Sequence, residues 1–197
     1  MGPHGTFTEQ ALLSQKDLAA ADTQPFDSIP DVLNGLITSE VDLGFVPIEN
    51  AIEGAVNVTQ DALAFDLDLR IQREVVLDVQ LNLLALPGTQ LNDIHTVVSF
   101  PVAVAQCRNF LRDQLPKAEI QAATSTAEAA RHVGEQSLEG VATISNPLAA
   151  ELYGLEAVAE AVEDHTGNQT RFLLLAREGV PVATGHDKTR VVVFQRA

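Results

Sequence analysis

The chain has 197 residues, 46% of them hydrophobic, and carries 12 Lys and Arg against 27 Asp and Glu, for a net charge of −15. That apolar content supports a sizeable core, in one domain or in two small lobes, while the negative charge excludes nucleic acid and anionic membrane as partners. No apolar run approaches the roughly 18 residues of a membrane span, and the first residues lack the basic start and apolar stretch of an export signal, so a cytoplasmic protein is expected.

The single cysteine, Cys107, has no partner for an internal disulfide and sits in a helical apolar pattern, which predicts a buried, inert thiol. The five His residues lack spacings such as HExxH, and no GxSxG elbow occurs, so neither metal nor acyl-enzyme chemistry is expected. An acidic protein that binds a small anion must build a local positive site from a few Arg residues and from helix N-termini.

In chain order, Gly2-Pro3-His4-Gly5 reads as a glycine-rich turn opening a helix, with Thr6 as N-cap and Glu9 completing a capping box. Ser28, ahead of Pro30 and Asp31, opens a second helix to about Ser39. A strand over 41–47 leads to Asn50, beyond the carboxyl end of a strand, where open α/β sheets hold their ligands. A helix is expected over 58–65. From Leu69 the chain is extended, and Leu77, Val79, Leu81 and Leu83 alternate with Asp78, Gln80 and Asn82. That is a half-buried strand long enough to pass from one lobe into another.

After Pro87-Gly88, strands at 96–99, 119–122 and 141–144 alternate with helices at 101–115, 126–136 and 147–153, a second parallel-sheet unit. Ser99, Ser125 with Glu128, and Ser145 stand at the three helix starts, so hydroxyl caps gather at one sheet edge. A strand over 158–162 precedes the polar stretch 164–172, which places the Asn168 amide, the Thr170 hydroxyl and the planar Arg171 fork in one turn. These groups suit a small anion; the plain alternative is a polar loop whose Thr and Asn cap a turn. A strand over 173–176, a Gly/Pro linker over 177–187 and a strand from Lys188 to Gln195 complete the chain.

Six stretches together resemble the catalytic portion of the prephenate dehydratase family. They are Gly2-Pro3-His4-Gly5-Thr6-Phe7-Thr8, Val46-Pro47-Ile48-Glu49-Asn50, Ser99-Phe100-Pro101 with Ala105-Gln106-Cys107, Ser125-Thr126-Ala127-Glu128-Ala129-Ala130, Ala149-Ala150-Glu151-Leu152-Tyr153-Gly154-Leu155, and Asn168-Gln169-Thr170-Arg171-Phe172. They fall in the family's order over nearly the whole chain. Two departures stand out: Ala51 follows Asn50 where the family usually has Ser, and the family's Ser-His-Pro-Gln is Ser99-Phe100-Pro101-Val102.

The resemblance implies an α/β fold of two small lobes, of type 2 periplasmic-binding-protein-like architecture, joined by two crossing strands with the active site in the inter-lobe cleft. It places the first lobe at 1–77 plus 171–180 and the second at 78–170. Residues 181–197 are then a linker and the first strand of an ACT-type regulatory domain. The implied reaction converts prephenate, a dianion, to phenylpyruvate, water and carbon dioxide in phenylalanine biosynthesis. It needs no metal or organic cofactor, and the full-length protein is expected to be a homo-oligomer, dimer or tetramer. Thr170 is the expected donor to the departing hydroxyl and Arg171 the carboxylate ligand. Asn50, Ser99, Gln106, Thr6, Ser125, Asn168 and Phe172 are expected to complete the substrate site. Dehydration of arogenate, and a non-catalytic module that binds a small carboxylate, are the alternatives.

Overall fold

A computed structural model of the chain describes residues 2–193. In chain order, α1 (Phe7–Leu13) and α2 (Ile29–Ile37) precede β1 (Leu43–Asn50) and β2 (Gly54–Ala55), and α3 (Asn57–Asp61) with a π turn (Ala62–Asp66) leads to β3 (Arg70–Asp78). There follow β4 (Asn82–Ala85), β5 (Thr96–Ser99), α4 (Pro101–Gln106), α5 (Arg108–Gln114), β6 (Glu119–Ala122) and α6 (Thr126–Glu135). The last elements are β7 (Val141–Ser145), α7 (Pro147–Tyr153), β8 (Glu156–Ala159) and β9 (Gln169–Ala176).

The strands make two sheets, in the orders β2-β1-β9-β3 and β6-β5-β7-β4-β8. In the second, β5 pairs in parallel with β6 and β7, as the β/α alternation predicts, while β4 lies antiparallel to β7 and β8. The first sheet is antiparallel throughout, because β9 returns between β1 and β3. The long strand expected through residues 77–83 is therefore two strands in different sheets, β3 and β4, with a crossing between them. The second crossing is the segment between β8 and β9. The crossings run side by side, Val79 N–H donating to Asn168 C=O and Val162 N–H to Leu81 C=O, each at 2.8 Å. Gln169 and Thr170, assigned to the second lobe from the sequence, lie in the first sheet.

Side-chain alternation along β9 decides what each face meets. Phe172 and Leu174 pack with Phe45, Val75 and Ala11 beneath α1, and Leu173 and Leu175 pack with Val46, Ile48 and the apolar stripe of α2. In the second lobe, Leu83, Val97 and Ile144 meet Cys107 and Leu111 on one face, and Leu84 and Val98 meet Ala130, Val133 and Ala149 on the other. The helix expected over 101–115 breaks at Cys107, whose φ of −115° and ψ of 20° end α4. Its thiol is fully buried, and burial first, then the charges of Glu163 and Asp164, push its pKa up to about 12.

Three of the expected caps form: Thr6 accepts from Glu9 N–H, Ser28 from Asp31 N–H and Ser125 from Glu128 N–H. The Glu9 carboxylate bypasses Thr6 and accepts from Gly5 N–H at 2.6 Å. Two others do not form. Ser99 is buried and donates to Ile144 C=O at 2.7 Å, a strand-to-strand bond, while Phe100 holds the cap position of α4. Ser145 lies buried in β7, and Asn146 caps α7 by accepting from Ala149 N–H at 2.7 Å. Among the described residues, 177–193 contain no helix or strand, so the strand expected from Lys188 is absent as far as Val193; Phe194 and Gln195 lie outside the described residues. Among the described residues no helix is long and apolar enough to cross a membrane.

Candidate active site

The polar stretch expected to form one turn is divided by the start of β9. Gly167, at φ 80°, turns the chain into Asn168, and Gln169 opens the strand. A positive φ of this size suits glycine, which has no Cβ to clash. Thr170 stands opposite Asn50 of β1 and Leu77 of β3, and Arg171 stands opposite Glu49 and Val76. Neighbours on a strand point to opposite faces. Thr170 thus shares the α1 face with Phe172, and Arg171 shares the α2 face with Leu173.

Asn50 fixes the orientation of the Thr170 hydroxyl. Its Oδ1 accepts from Ile52 N–H at 2.9 Å and from Glu53 N–H at 3.0 Å, a turn that only the carbonyl end of the amide can satisfy. Its Nδ2 must then face the other way, and donates to Thr170 Oγ1 and to Asn168 Oδ1, both at 2.8 Å. With its oxygen accepting from Asn50, the Thr170 hydroxyl has no acceptor for its hydrogen among the described residues. Asn168 is buried and joins the lobes: its Nδ2 donates to Gln106 Oε1 at 3.2 Å, and Gln106 Nε2 donates to Glu53 Oε1 at 3.1 Å. One chain of side-chain bonds thus runs from the end of β1, through the crossing, to α4 and back.

Of the residues expected at the site, Asn50, Gln106, Asn168 and Thr170 come together. Glu53 joins them unforeseen; its only sequence signal is a position three residues after Asn50, within reach of the same turn. Ser99 donates its hydrogen inside its sheet, and Phe172 is 1% exposed and stacked on Phe45 with ring centroids 5.4 Å apart, so neither joins this network. Arg171 is directed away from Thr170. It donates to Glu49 at 2.8 Å and to Glu74 at 2.6 Å, and Lys188 reaches the other Glu74 oxygen. The Lys188 bond first, and the Arg171 bond and charge with it, hold the Glu74 carboxyl below its ordinary pKa.

This group of ion pairs borders a cavity of about 410 Å³ lined by Glu49, Ala51, Glu74, Val76, Gln169, Arg171 and Lys188. Thr6 and Ser125 approach one another around Gly2, where an added Cβ would stand 3.6 Å from Thr6 Cγ2 and 4.0 Å from Ser125 Oγ. No hydrogen bond among the described residues ties either to Thr170. Of the departures, Ala51 leaves the geometry of Asn50 intact, because backbone N–H groups and not a neighbouring hydroxyl hold that amide. Phe100 is 39% exposed at the start of α4. Among the described residues no group of three or more His, Cys, Asp or Glu side chains has the geometry to hold a metal ion.

A two-lobed α/β protein that gathers a hydroxyl and three amides where its lobes meet has the layout of proteins that enclose a small polar ligand between lobes. The family model for prephenate dehydratase matches residues 1–180, and the chain belongs to that family. The prephenate dehydratase of Mycobacterium tuberculosis (strain H37Rv) is 39% identical over 202 residues, which cover 98% of this chain and 62% of that protein. Among solved structures, the prephenate dehydratase of Arthrobacter aurescens in complex with L-Phe superposes with a TM-score of 0.84 at 38% identity, over 94% of this chain and 61% of that one. That of Staphylococcus aureus gives 0.79 at 28% identity, over 92% and 66%. The chain thus spans about three fifths of the length of the mycobacterial relative.

Proposed function

We propose that this chain carries the catalytic site of a prephenate dehydratase, a lyase of phenylalanine biosynthesis that converts prephenate to phenylpyruvate, water and carbon dioxide. The observation that carries the reading is the Thr170 hydroxyl, held by Asn50 with its hydrogen unspent at the meeting of the lobes. Prephenate needs little more than a donor to its C4 hydroxyl. As that C–O bond breaks, the C1 carboxylate leaves as carbon dioxide, its bonding electrons enter the ring, and the ring becomes aromatic. Thr170 donates a hydrogen bond to the departing oxygen as negative charge grows there, and the departing hydroxide takes from solvent the proton that makes it water. A donor whose bond strengthens only in the transition state contributes about 3 to 4 kcal/mol, by comparison with one oxyanion-hole donor.

Asn50 is the positioning group for that hydroxyl, and the Gln106 amide, brought by α4, joins its network from the second lobe through Asn168 and Glu53. The chemistry as proposed draws on no metal or organic cofactor. We place the protein in the cytoplasm, without nucleic acid or membrane as partner, and its full-length form as a homo-oligomer. The net charge of −15 argues against nucleic acid and anionic membrane, and the motif resemblance supports the other points. Ultraviolet absorbance tests the reading: with prephenate the protein should generate phenylpyruvate. Turnover of arogenate alone would move the assignment to that substrate, and binding without product would make the chain a carboxylate-binding module.

A further inference from the structure

We infer that Arg171 is a positioning residue that sets Thr170 through the strand they share, and not a ligand for the substrate carboxylate; the inference rests on Thr170 being the working hydroxyl. Arg171 sits on the middle strand of three. From there its fork reaches a carboxylate on each flanking strand, Glu49 of β1 at 2.8 Å and Glu74 of β3 at 2.6 Å. Of the two residues it ties, only Glu49 adjoins one that frames Thr170; Glu74 lies opposite Leu173, three residues before Leu77 on the same strand. Glu49 precedes Asn50, and Val76, opposite Arg171, precedes Leu77, opposite Thr170. The first sheet is cut short at this edge, since β1 ends at Asn50, β3 at Asp78 and β9 begins at Gln169. Strand ends fray unless something outside the ladder holds them, and a planar guanidinium bonded to both sides fixes lateral register as a single-point cation does not.

Two features argue against substrate as the partner of Arg171. Its two terminal nitrogens are already occupied by internal carboxylates, one of them the Glu74 group that is only 19% exposed. A carboxylate bound to Arg171 from the α2 face would, in addition, lie across the sheet from the Thr170 hydroxyl. Lys188 completes the charge balance at Glu74 and brings the segment after β9 into the same cluster.

The test compares Arg171→Lys, Glu74→Gln and the double variant in prephenate turnover, with amide hydrogen exchange across Gln169–Phe172 in the ligand-free proteins. Glu74 cannot touch anything held on the Thr170 face, so any effect it has on turnover passes through the strand. The positioning role predicts that each single variant lowers kcat about three- to tenfold with KM within twofold. The double variant should then be no worse than the worse single, and exchange across the strand start should quicken in all three. Glu49→Gln serves as the second probe should Glu74→Gln fail to fold. A rise in KM for Arg171→Lys with kcat intact and Glu74→Gln silent would show that Arg171 holds substrate, and unchanged kcat and exchange in every variant would reduce the cluster to surface ion pairs; either result overturns the inference. Should the parent protein leave prephenate untouched, the functional reading fails on its own, and the exchange measurement still decides the role of Arg171.

Discussion

Asn50 shows how much a single side chain contributes when both ends of its amide are committed. Two backbone N–H groups hold Oδ1, so Nδ2 is the only end that can face Thr170. Replacing Asn50 by Asp keeps the shape and removes the donor. The Thr170 hydroxyl should then turn to donate to the carboxylate, and kcat should fall on the order of a hundredfold at neutral pH with little change in KM. A protonated carboxyl donates again, so kcat of Asn50→Asp should climb as pH falls through the carboxylate range and be lost as pH rises. The parent, whose amide does not titrate, should lack that limb, and a flat kcat profile for the variant would remove the orienting role of Asn50.

Cys107 offers a second residue-scale check. Its raised pKa keeps the thiol neutral in the folded chain, whereas an exposed thiol ionises near pH 8.5. The stability it contributes is full below that pH and is lost as pH rises toward the folded value of about 12. Iodoacetamide at pH 8 should therefore label Cys107 only as fast as the protein unfolds, and rapid labelling of the native protein would contradict its burial. Asn50, Asn168 and Thr170 were legible as polar residues of their stretches, and Gln106 only through the family resemblance. Ser99 was misread because position at a strand end says nothing of whether a neighbouring carbonyl, here that of Ile144, has already taken the hydroxyl.

At the scale of elements, β9 is where reading by pattern and the physical outcome part. Polar residues near a glycine read as a turn, yet Gln169, Thr170 and Arg171 begin a strand, because β1 and β3 supply backbone partners on both sides. Strand geometry then sends adjacent residues to opposite faces, which separates two side chains that a turn would have kept together. The helix caps were readable where no carbonyl of a neighbouring strand claimed the hydroxyl, at Thr6, Ser28 and Ser125. A less visible element-scale feature is the contact of α6 with α7 at Gly134, where an added Cβ would come 2.3 Å from the Tyr153 carbonyl oxygen. Gly134→Ala gains up to about 1 kcal/mol in helix propensity, but relieving that clash requires a backbone shift of a kind that costs about 1 to 3 kcal/mol or more. The variant should melt several degrees below the parent; an equal or higher Tm would mean that the two helices part freely.

The whole molecule is two sheets joined by two hydrogen-bonded crossings, with the site formed where the chain changes sheet. Asn50 and Thr170 are 120 residues apart in sequence, and Gln106 comes from the other lobe. The β/α alternation of the second lobe was legible because its strands and helices follow one another locally. The antiparallel first sheet was not, since its central strand arrives only after the whole second lobe has been built. Nor could any local pattern show that the Glu53–Gln106 and Asn168–Gln106 bonds tie the lobes.

The central claim is that this assembly exists to aim the Thr170 hydroxyl at a departing oxygen, and steady-state turnover of prephenate by Thr170→Ala and Thr170→Ser tests it most directly. Removing an interaction made chiefly in the transition state lowers kcat and leaves KM nearly unchanged. Thr170→Ala should lose about a hundredfold or more in kcat, while Thr170→Ser, which keeps a hydroxyl for Asn50 to orient, should retain part of the rate. Parental kcat in Thr170→Ala would contradict the account and leave Thr170 as a strand residue whose hydroxyl merely satisfies the Asn50 amide.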